Sequence, residues 1–405
     1  MFLHDRFRIV CLCTDDRVDR RILDGARMFT EAGDPTLVIT MAPPGDLRDE
    51  ESYPDVPIFR MMAPNAPLLE PPPGDLEAID QLGRRFGFHR RMISVGRTFP
   101  ADVIIANDLP QLAAGIVVAR ETGAALIYDA HEFYPLQQFT PEVSAELEAV
   151  ERALIGYADA VVTVNDSIAD LIAMKYRCPR PPVILNCPSH RHGSIPARED
   201  SPLRGFLGVR PDQRVLLYQG GLSPFRNLDV LVESMARLPD DRIVLAMMGK
   251  DNSMGQQLRE KAQALGILGT RVLFVPEQPA SALLPWTVGA DAGIIPYPHI
   301  DINTWFMSPN KLFEFMSVGL PILAPHGPEV RRFVGDQGIG MNFHLATHDD
   351  FARAITTFFA GPLDAWRVRA AEVAHQYTWE TEGLKWFPIL AAARAARDAR
   401  LAEAA

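Results

Sequence analysis

The sequence predicts an α/β protein with two domains, each built around a doubly wound parallel sheet. Short apolar runs alternate with helical patterns along both halves of the chain, which is typical of parallel βαβ units. The 405 residues are enough for two cores of ordinary size. A stretch at 187–212 that is rich in Pro, Arg, Gly and Ser separates the halves and is the expected linker.

The composition is that of a soluble globular protein, with 47% hydrophobic and 22% charged residues. A formal net charge of −11 argues against a nucleic-acid binder, because phosphate contacts require a basic surface. No apolar run reaches the roughly 18 to 20 residues that span a bilayer, and the first residues lack the apolar core of a signal peptide. We therefore expect a cytoplasmic protein whose four cysteines, which show neither metal-site nor disulfide spacing, are reduced.

Charged side chains follow the first predicted strand. The apolar run at 8–13 is succeeded by Asp-Asp-Arg-Val-Asp-Arg, then by a helical pattern at 18–32 and a strand at 36–41. Ligands of open parallel sheets bind beyond the carboxyl ends of the strands. Arg17 and Arg20 are therefore candidates for contacts with an acceptor or a phosphate, although a solvated charged loop explains them equally well.

The next strands end in groups suited to acid–base chemistry. One apolar run ends at Asp108, and the following run delivers Asp129, His131 and Glu132 to a single loop. Because the carboxyl ends of parallel strands meet at one edge of a sheet, we expect these side chains to lie together. The last three are the candidate catalytic residues and Asp108 is a candidate acceptor contact. A structural role for His131 is the alternative.

Between these strands, residues 42–73 are rich in proline and lack periodicity, which predicts a long surface excursion. A helical pattern follows at 75–96, and within it arginines and phenylalanines are interleaved at 84–91. Such a helix can contact an anionic membrane or a lipid-linked acceptor. Residues 84–91 are therefore the candidate site of peripheral membrane contact. Helices at 141–157 and 166–176 and strands at 158–164 and 182–186 complete the first domain.

The second domain opens with a strand that leads into a glycine turn. Gly220 and Gly221 let a ligand approach the backbone closely, and Arg226, at the start of the next predicted helix, can bind a phosphate through two parallel hydrogen bonds. Further strands should end in a row along the same edge, because they are parallel. Lys250 and Pro276, which follow two of them, join the candidate ligand site.

Residues 308–324 carry the clearest secondary-structure signals of this half. They predict the start of a helix, its end and a buried strand. Ser308 is a suitable N-cap, Pro309 fits the first helical position, and Gly319 suits a left-handed stop. Four apolar side chains cluster on one side of the helix. They leave a polar face that needs a partner.

This polar face predicts a site for a nucleoside diphosphate. The backbone amides of Asn310 and Lys311 lie at the positive end of the helix dipole, where Ser308 is also placed, and the Lys311 side chain adds a full charge that favours a phosphate. Glu314, one turn further on, can accept two hydrogen bonds at once from a cis-diol such as a ribose. An ordinary amphipathic helix in front of a strand is the alternative.

The run Pro309-Asn-Lys-Leu-Phe-Glu-Phe-Met, followed by Gly319-Leu-Pro-Ile-Leu-Ala, resembles the donor-site segment of retaining GT-B glycosyltransferases of family four, also called glycosyl transferases group 1. The resemblance covers nearly the whole chain. It implies two Rossmann-like domains facing across a cleft, with residues 1–190 binding the acceptor and residues 205–375 binding the nucleotide sugar. The terminal helix at 376–405 would then join the first domain.

Residue by residue, the resemblance assigns the ribose contact to Glu314 and places His131 opposite the donor sugar and the acceptor. The chain also departs from the family pattern. The family has a second Glu eight residues before the ribose-binding acid, where this chain has Phe306. It also has an Arg and, five residues later, a Lys on the diphosphate, where this chain has Gly221 and Arg226.

The expected function is transfer of a sugar from a nucleotide-diphosphate sugar to an acceptor hydroxyl in glycan or glycoconjugate biosynthesis. The expected partners are the nucleotide sugar and a sugar or lipid-linked acceptor. Retention of configuration, with the leaving phosphate aiding deprotonation of the acceptor, is what the resemblance implies. The sequence contains no Asp-x-Asp triplet, which favours a metal-independent route without a cofactor.

Two other functions remain open. A non-catalytic subunit that binds a nucleotide sugar, or scaffolds a polysaccharide assembly, would keep Glu314 and lose catalytic groups, as Phe306 and Gly221 suggest. A nicotinamide dehydrogenase would also be doubly wound. Its first strand should be followed by Gly-x-Gly-x-x-Gly, however, and here Thr-Asp-Asp-Arg follows.

Overall fold

A computed structural model of the chain describes residues 6–14, 18–41, 50–61, 85, 89–192, 194–344 and 346–404. The chain divides into two compact units. Unit 1 consists of Met1–Leu185 and Glu382–Ala405, and unit 2 of Asn186–Thr381. From the sequence, the first domain was expected to end at residue 190, and the second to extend from residue 205 to residue 375.

Among its described residues, unit 1 contains six parallel strands in one sheet. The strands are β1 (Ile9–Leu12), β2 (Thr36–Met41), β3 (Ile58–Met61), β4 (Val103–Asn107), β5 (Ala125–Ala130) and β6 (Ala160–Thr163). The helices are α1 (Arg20–Ala32), α2 (His89–Gly96), α3 (Leu109–Thr122), α4 (Pro141–Leu154) and α5 (Asp166–Tyr176). The sheet order β3-β2-β1-β4-β5-β6 is that of the Rossmann fold.

Unit 2 repeats this arrangement with its own six described strands. They are β7 (Arg214–Gln219), β8 (Ile243–Gly249), β9 (Val272–Pro276), β10 (Ala292–Ile294), β11 (Ile322–Pro325) and β12 (Gly340–Phe343). The helices are α6 (Pro202–Leu207), α7 (Leu228–Met235), α8 (Ser253–Ala264), α9 (Ala280–Thr287), α10 (Ile302–Trp305), α11 (Asn310–Ser317), α12 (Pro328–Val334), α13 (His348–Phe359) and α14 (Leu363–Ala374). The order β12-β11-β10-β7-β8-β9 is again that of the Rossmann fold.

The chain ends with α15 (Trp379–Glu382) and α16 (Trp386–Ala404). Helix α16 packs within unit 1. The Trp386 ring meets the Phe29 ring edge-on, with centroids 5.7 Å apart, and Arg400 pairs with Asp159 at 3.1 Å. Residues from the end of the chain therefore complete the core around β5 and β6.

Three sequence expectations about strands were wrong. Strand β3 lies inside the segment expected to be a surface excursion, and β12 lies within 325–374, where the sequence pattern predicts helices and no strand. Both are edge strands with half-exposed residues, so neither shows the continuous apolar run of a buried strand. The strand expected at 182–186 is a single bridge between Val183 and Thr163.

The segment expected to contact a membrane is described only in part. Arg85 pairs with Glu146 at 2.8 Å, and helix α2 covers the end of the expected helix, whereas Phe86 and Phe88 lie outside the described residues. Among the helices that the structure describes, none combines the length and apolar character needed to cross a bilayer. All four cysteines carry free thiols.

Candidate active site

The ends of β4 and β5 bring three of the predicted side chains together in unit 1. The register pairs Asn107 with Asp129, so Asp108 and His131 leave the sheet side by side. The backbone N–H of Asp108 donates to the Asp129 carbonyl at 2.9 Å, and the backbone N–H of His131 donates to Asp108 Oδ1 at 2.9 Å. With Arg21 these residues form what we call the histidine cluster: Arg21, Asp108, Asp129 and His131.

The imidazole of His131 lies between two carboxylates. Its Nδ1 is 3.6 Å from Asp108 Oδ2, and its Nε2 is 3.3 Å from Asp129 Oδ2. Burial disfavours the charged ring, but the two carboxylates outweigh burial and raise the pKa of His131 to about 9. The ring is therefore a cation at about pH 7.

Arg21 anchors the cluster from α1. Its guanidinium donates to both oxygens of Asp129, at 2.9 and 3.0 Å, and to the Ile184 carbonyl at 2.7 Å. Both side chains of the pair are almost completely buried. Burial alone would raise the pKa of Asp129, but Arg21 and His131 hold it well below its ordinary value. The carboxylate beside His131 is consequently ionised and fixed in place.

Asp108 has a backbone conformation that is rare for a residue with a side chain. Its φ is 62° and its ψ is 165°, which costs about 1–3 kcal/mol. Asp108 precedes α3 at the N-cap position, where an Asp usually accepts from the helix amides, but its side chain makes no such hydrogen bond. Its carboxylate turns to His131 instead. Burial raises the pKa of Asp108, and the positive ring of His131 opposes that rise.

Unit 2 contains the segment expected to bind phosphate, with one correction at its start. Helix α11 begins at Asn310, and Pro309 occupies the N-cap with φ −68° and ψ 147°. The prediction that Ser308 is the N-cap was wrong. Pro309 has the extended backbone of an N-cap residue and directly precedes the first helical residue. At the other end Gly319 has φ +67°, as expected, and the N–H of Leu320 donates to Phe315 O at 2.9 Å.

Two predicted cations converge on one phenol in unit 2. Lys311 is only 6% exposed, and its Nζ donates to the Tyr297 hydroxyl, to which Arg226 NH1 also donates at 2.9 Å. The Lys311 Nζ lies 4.5 Å from the centre of the Tyr297 ring and 5.6 Å from that of Tyr218. Burial raises the pKa of Tyr297, although Arg226 opposes this, so the phenol is neutral and does not cancel the two charges. We call this group the cation pair with its phenol; the cations are Arg226 and Lys311, and the phenol is that of Tyr297.

The loop before α7 aims Arg226 at this phenol. Phe225 and Asn227, on either side of Arg226, have φ values of 62° and 53°. Left-handed backbone is costly for a bulky residue such as Phe225 and is concentrated at functional sites. The helix starts at Leu228, two residues later than expected, because Arg226 belongs to this irregular loop.

The glycine turn after β7 lies directly beside Lys311. Gly220 has φ +116°, and a Cβ at this position would come 3.4 Å from Lys311 Nζ. The next carbonyl, that of Gly221, accepts from Tyr218 OH at 2.7 Å and from Arg226 NH1 at 3.3 Å. A side chain at Gly220 or Gly221 would approach Lys311 or Arg226, respectively.

Glu314 is not on an open polar face. It is 4% exposed, and Gln219 Nε2 donates to its Oε2 at 2.5 Å. The polar face that was expected to need a partner has one at Glu314, because β7 supplies Gln219 and so permits burial of the carboxylate. Asn310 is half-buried, and its Oδ1 accepts from Asn186 Nδ2 at 2.8 Å.

Comparison with known proteins identifies the protein class. Residues 18–188 match the family model of the glycosyl transferase 4-like domain, and residues 213–360 match that of the glycosyl transferases group 1. The chain belongs to the group 1 glycosyltransferases. It is 27% identical over 326 residues to a D-inositol 3-phosphate glycosyltransferase from Nocardioides sp., covering 73% of this chain and 68% of the relative. A protein of the same name from Streptosporangium roseum is 23% identical over 404 residues, covering 92% and 88%.

Solved structures confirm the predicted GT-B fold of this glycosyltransferase. Sucrose-phosphate synthase from Thermosynechococcus elongatus has a TM-score of 0.73 at 18% identity, covering 95% of this chain and 98% of that one. Anabaena HepE in complex with UDP has a TM-score of 0.72 at 17% identity, covering 95% and 99%. The expectation of an enzyme is likewise confirmed by the family.

The remaining predicted residues of the glycosyltransferase are more peripheral to these clusters. Glu132 accepts a hydrogen bond from Gln137 Nε2, and Arg20 is half-buried at the start of α1. Lys250 and Pro276 are exposed beyond β8 and at the end of β9. Arg17 lies outside the described residues, and Ser308 and Phe306 are half-buried in the loop before α11.

Two residues of the site escaped the sequence analysis: Arg21 and Gln219. Tyr297 follows a strand whose end was expected along the same edge of the sheet. Arg21 follows the N-cap Asp19 and shares the buried side of α1 with Ile22. Gln219 stands at the carboxyl end of β7, next to the glycines that the sequence did single out.

A second buried carboxyl group in unit 1 is that of Glu151 on α4. It is fully enclosed, and Tyr128 and Tyr176 donate hydrogen bonds of 2.5 and 2.6 Å to its two oxygens. Burial raises the pKa of Glu151 to about 7, although the two phenols favour the ionised form. The group therefore titrates near neutral pH in the folded protein.

Replacing Glu151 by glutamine is expected to leave the melting temperature nearly unchanged at about pH 5 and to raise it at about pH 8.5. The folded pKa lies above the ordinary 4.5, so the stability contributed by the protonated acid is lost as the pH rises through about 7. Glutamine offers one donor and one acceptor, like the protonated acid, and does not titrate. Melting curves at the two pH values test this. A less stable variant at the higher pH would contradict it.

Proposed function

We propose that this glycosyltransferase moves a sugar from a nucleoside diphosphate sugar to an acceptor hydroxyl, with retention of configuration and without a metal ion. The observation that supports the proposal most is the cation pair with its phenol, which lies beside Gly220. Two buried or partly buried positive charges that share a neutral partner create a strong site for a polyanion. The amides at the start of α11 add the positive end of a helix dipole.

A diphosphate fits this arrangement better than a single phosphate. Lys311 and Arg226 approach from α11 and from the loop before α7, so each can contact a different phosphoryl group. Glu314 lies one helical turn beyond Lys311, at the distance where a ribose would follow the phosphates. HepE was solved in complex with UDP, which makes UDP the first donor nucleotide to test here.

In the proposed reaction the bond from the anomeric carbon to the diphosphate oxygen breaks, and the acceptor oxygen bonds to the same face of that carbon. The acceptor proton passes to an oxygen of the departing diphosphate, so the products are the glycoside and the nucleoside diphosphate. Negative charge grows on the diphosphate as it leaves. Lys311, Arg226 and the α11 amides would stabilise that charge without moving.

The histidine cluster supplies a fixed positive charge in unit 1. A ring that already carries both protons cannot accept another, so we assign His131 an electrostatic and orienting role instead of that of a general base. The acceptor is a polyol in this proposal. Relatives named for D-inositol 3-phosphate make that compound the first acceptor to test.

Binding and turnover together test the proposal. UDP, GDP and ADP should be titrated calorimetrically, and at least one is expected to bind and to raise the melting temperature. At a ligand concentration a hundredfold above Kd, binding should stabilise the folded protein by about 2.7 kcal/mol. The corresponding sugar nucleotides should then release the nucleoside diphosphate when D-inositol 3-phosphate or a cell extract is added, with or without EDTA. Failure of all three nucleotides to bind would contradict the proposed donor site. Binding without turnover on any acceptor would favour the non-catalytic subunit suggested by Phe306 and Gly221.

A further inference from the structure

Three arginines surround a single carboxylate at the edge of the unit 2 sheet opposite the proposed donor site. Asp291 immediately precedes β10, whereas the donor site lies beyond the carboxyl ends of β7 and β10. Asp291 is 7% exposed, and its carboxylate accepts hydrogen bonds from Arg198 and, at 2.9 Å, from Arg204. The backbone N–H of Val215 donates to the same carboxylate at 2.8 Å, and the backbone carbonyl of Asp291 accepts from Arg367 at 3.1 Å. We call the three arginines and Asp291 the arginine cluster.

The charges of the arginine cluster do not balance. Arg198 divides its guanidinium between Asp291 and the exposed Glu199, to which its Nε and NH2 donate at 3.2 and 3.1 Å. Within the described residues, Asp291 and Glu199 are the only carboxylates that form ion pairs with the three arginines. Three positive charges thus face two negative ones.

Arg367 carries the charge that is left over. It is half-buried on α14, and no carboxylate in the part of the chain that the structure describes forms an ion pair with it. Burial, and after it the charge of Arg198, lower the pKa of Arg367. The carboxylates of Asp291 and Asp364 oppose this effect without reversing it. A half-buried cation that its neighbours repel is costly to keep, and an anion bound beside it would remove that cost.

Arg204 and Arg367 keep most of their hydrogen-bond donors. A guanidinium has several N–H groups, and each of these two side chains uses only one of them in contacts with the described residues. The planar fork of the remaining donors matches the oxygens of a phosphate, which a guanidinium can bind through two parallel hydrogen bonds. The side chain of Arg204 is 18% exposed and Arg367 is half-buried, so an anion can reach both from the solvent.

We propose that the arginine cluster is a second anion site of this protein, which binds a phosphate group through Arg204 and Arg367. Asp291 holds Arg204 by its carboxylate and Arg367 by its carbonyl, so the two guanidiniums are positioned before the ligand arrives. The ligand is a phosphate dianion, either free or as a phosphomonoester, because chloride has neither the charge nor the set of oxygens that two forks require. The site uses no residue of the donor site and does not depend on the proposed function.

Calorimetric titration with inorganic phosphate and with glycerol 3-phosphate tests this site, with chloride used to hold the ionic strength constant. The wild-type protein is expected to bind phosphate and to melt about 2–5 °C higher at a concentration tenfold above Kd. Arg367→Met should weaken that binding by about 10- to 100-fold. Tighter binding of glycerol 3-phosphate would identify the ligand as a phosphomonoester, and the reverse order would identify it as free phosphate.

The same variant has an opposite expected effect when phosphate is absent. Arg367→Met removes a half-buried charge that Arg198 repels, and it leaves Asp291 and Glu199 with their arginine partners. Its melting temperature without phosphate should therefore be no lower than that of the wild type. If Arg367→Met does not fold, Arg367→Lys keeps the charge but not the fork, and it should bind phosphate more weakly than the wild type.

Two controls separate the arginine cluster from other cations that attract phosphate. Lys311→Met removes a cation of the proposed donor site and should leave the phosphate affinity of the arginine cluster unchanged. Arg210→Met removes an exposed arginine of unit 2 that pairs with Asp212, and it should change the affinity less than twofold. Loss of phosphate binding in Lys311→Met, with binding kept in Arg367→Met, would assign the phosphate to the donor site and overturn the second site. A wild-type protein that does not bind phosphate, or a variant at Arg367 that binds it as tightly as the wild type, would overturn it as well.

Discussion

Alanine in place of His131 is expected to lower the turnover number by about 100- to 1,000-fold, with little change in the affinity for the nucleoside diphosphate. The ring is held between Asp108 and Asp129 as a cation, and such a preorganised charge acts mainly on charge that develops during the reaction. The proposed nucleotide site consists of residues of the other unit. Steady-state release of the nucleoside diphosphate and a calorimetric Kd measure the two effects separately.

The same assignment predicts how the rate depends on pH. Two carboxylates raise the pKa of His131 to about 9, above its ordinary 6.5, so the cation and its ion-pair stabilisation are fully present below pH 6.5 and are lost as the pH rises through about 9. The wild-type kcat/KM should therefore fall above about pH 9. A His131→Gln protein, which has no proton to lose there, should lack this fall.

A matched control separates the catalytic effect from a general loss of stability. His348, at the start of α13 in unit 2, is half-buried and lies 3.9 Å from Glu233. His348→Ala removes a histidine that also lies beside a carboxylate, without touching the histidine cluster, and should keep turnover within about twofold of wild type. If His131→Ala keeps turnover to the same degree, His131 has no part in the reaction.

Replacing Lys311 by methionine is expected to weaken nucleoside diphosphate binding by about 10- to 100-fold. Methionine has nearly the length of lysine but no charge. The space between Tyr218 and Tyr297 therefore stays filled, while one of the two cations proposed to bind phosphate disappears. The loss should grow with the number of phosphates, being greatest for UDP, smaller for UMP and absent for uridine. Calorimetric titration with these three ligands measures it.

Lys261→Met provides the matched control for this charge. Lys261 lies on α8 of the same unit and pairs with Glu233, so the substitution removes a lysine of unit 2 that has no place in the donor site. Its loss should leave the Kd for UDP within about twofold, because surface ion pairs contribute at most about 1 kcal/mol to stability and nothing to this site. An equal loss of affinity for uridine and UDP in Lys311→Met would show that the site had collapsed, and would contradict the phosphate contact.

The fold could be predicted wherever a strand is buried on both faces. Strand β2 has the predicted bounds, and its central Leu-Val-Ile run is the apolar signal that marks it. The edge strands β3 and β12 could not be found this way, since half-exposed edge residues do not need to be apolar. Local signals likewise failed at Ser308, where the choice of N-cap depended on the conformation of Pro309.

The candidate site was predicted to the extent that its residues stand at the ends of strands or helices. Asp129, His131 and Lys311 were recognisable by position alone, whereas their partners lie far away in the chain. Arg21 is 108 residues from Asp129, and Gln219 is 95 residues from Glu314. No local pattern reports such a pairing, because it depends on which strands and helices pack together.

The shape of the Arg21 side chain determines which residues could replace it at this site. Its flat guanidinium reaches both oxygens of Asp129 and the Ile184 carbonyl at once, and a lysine, with a single tetrahedral nitrogen, could keep the charge but not that fork. A neutral residue at position 21 would leave the buried Asp129 carboxylate without its arginine partner, which typically costs about 3–5 kcal/mol of stability. A substitution at position 21 or 129 alone is therefore expected to destabilise the fold, whereas a matched change at both positions avoids the unpaired charge.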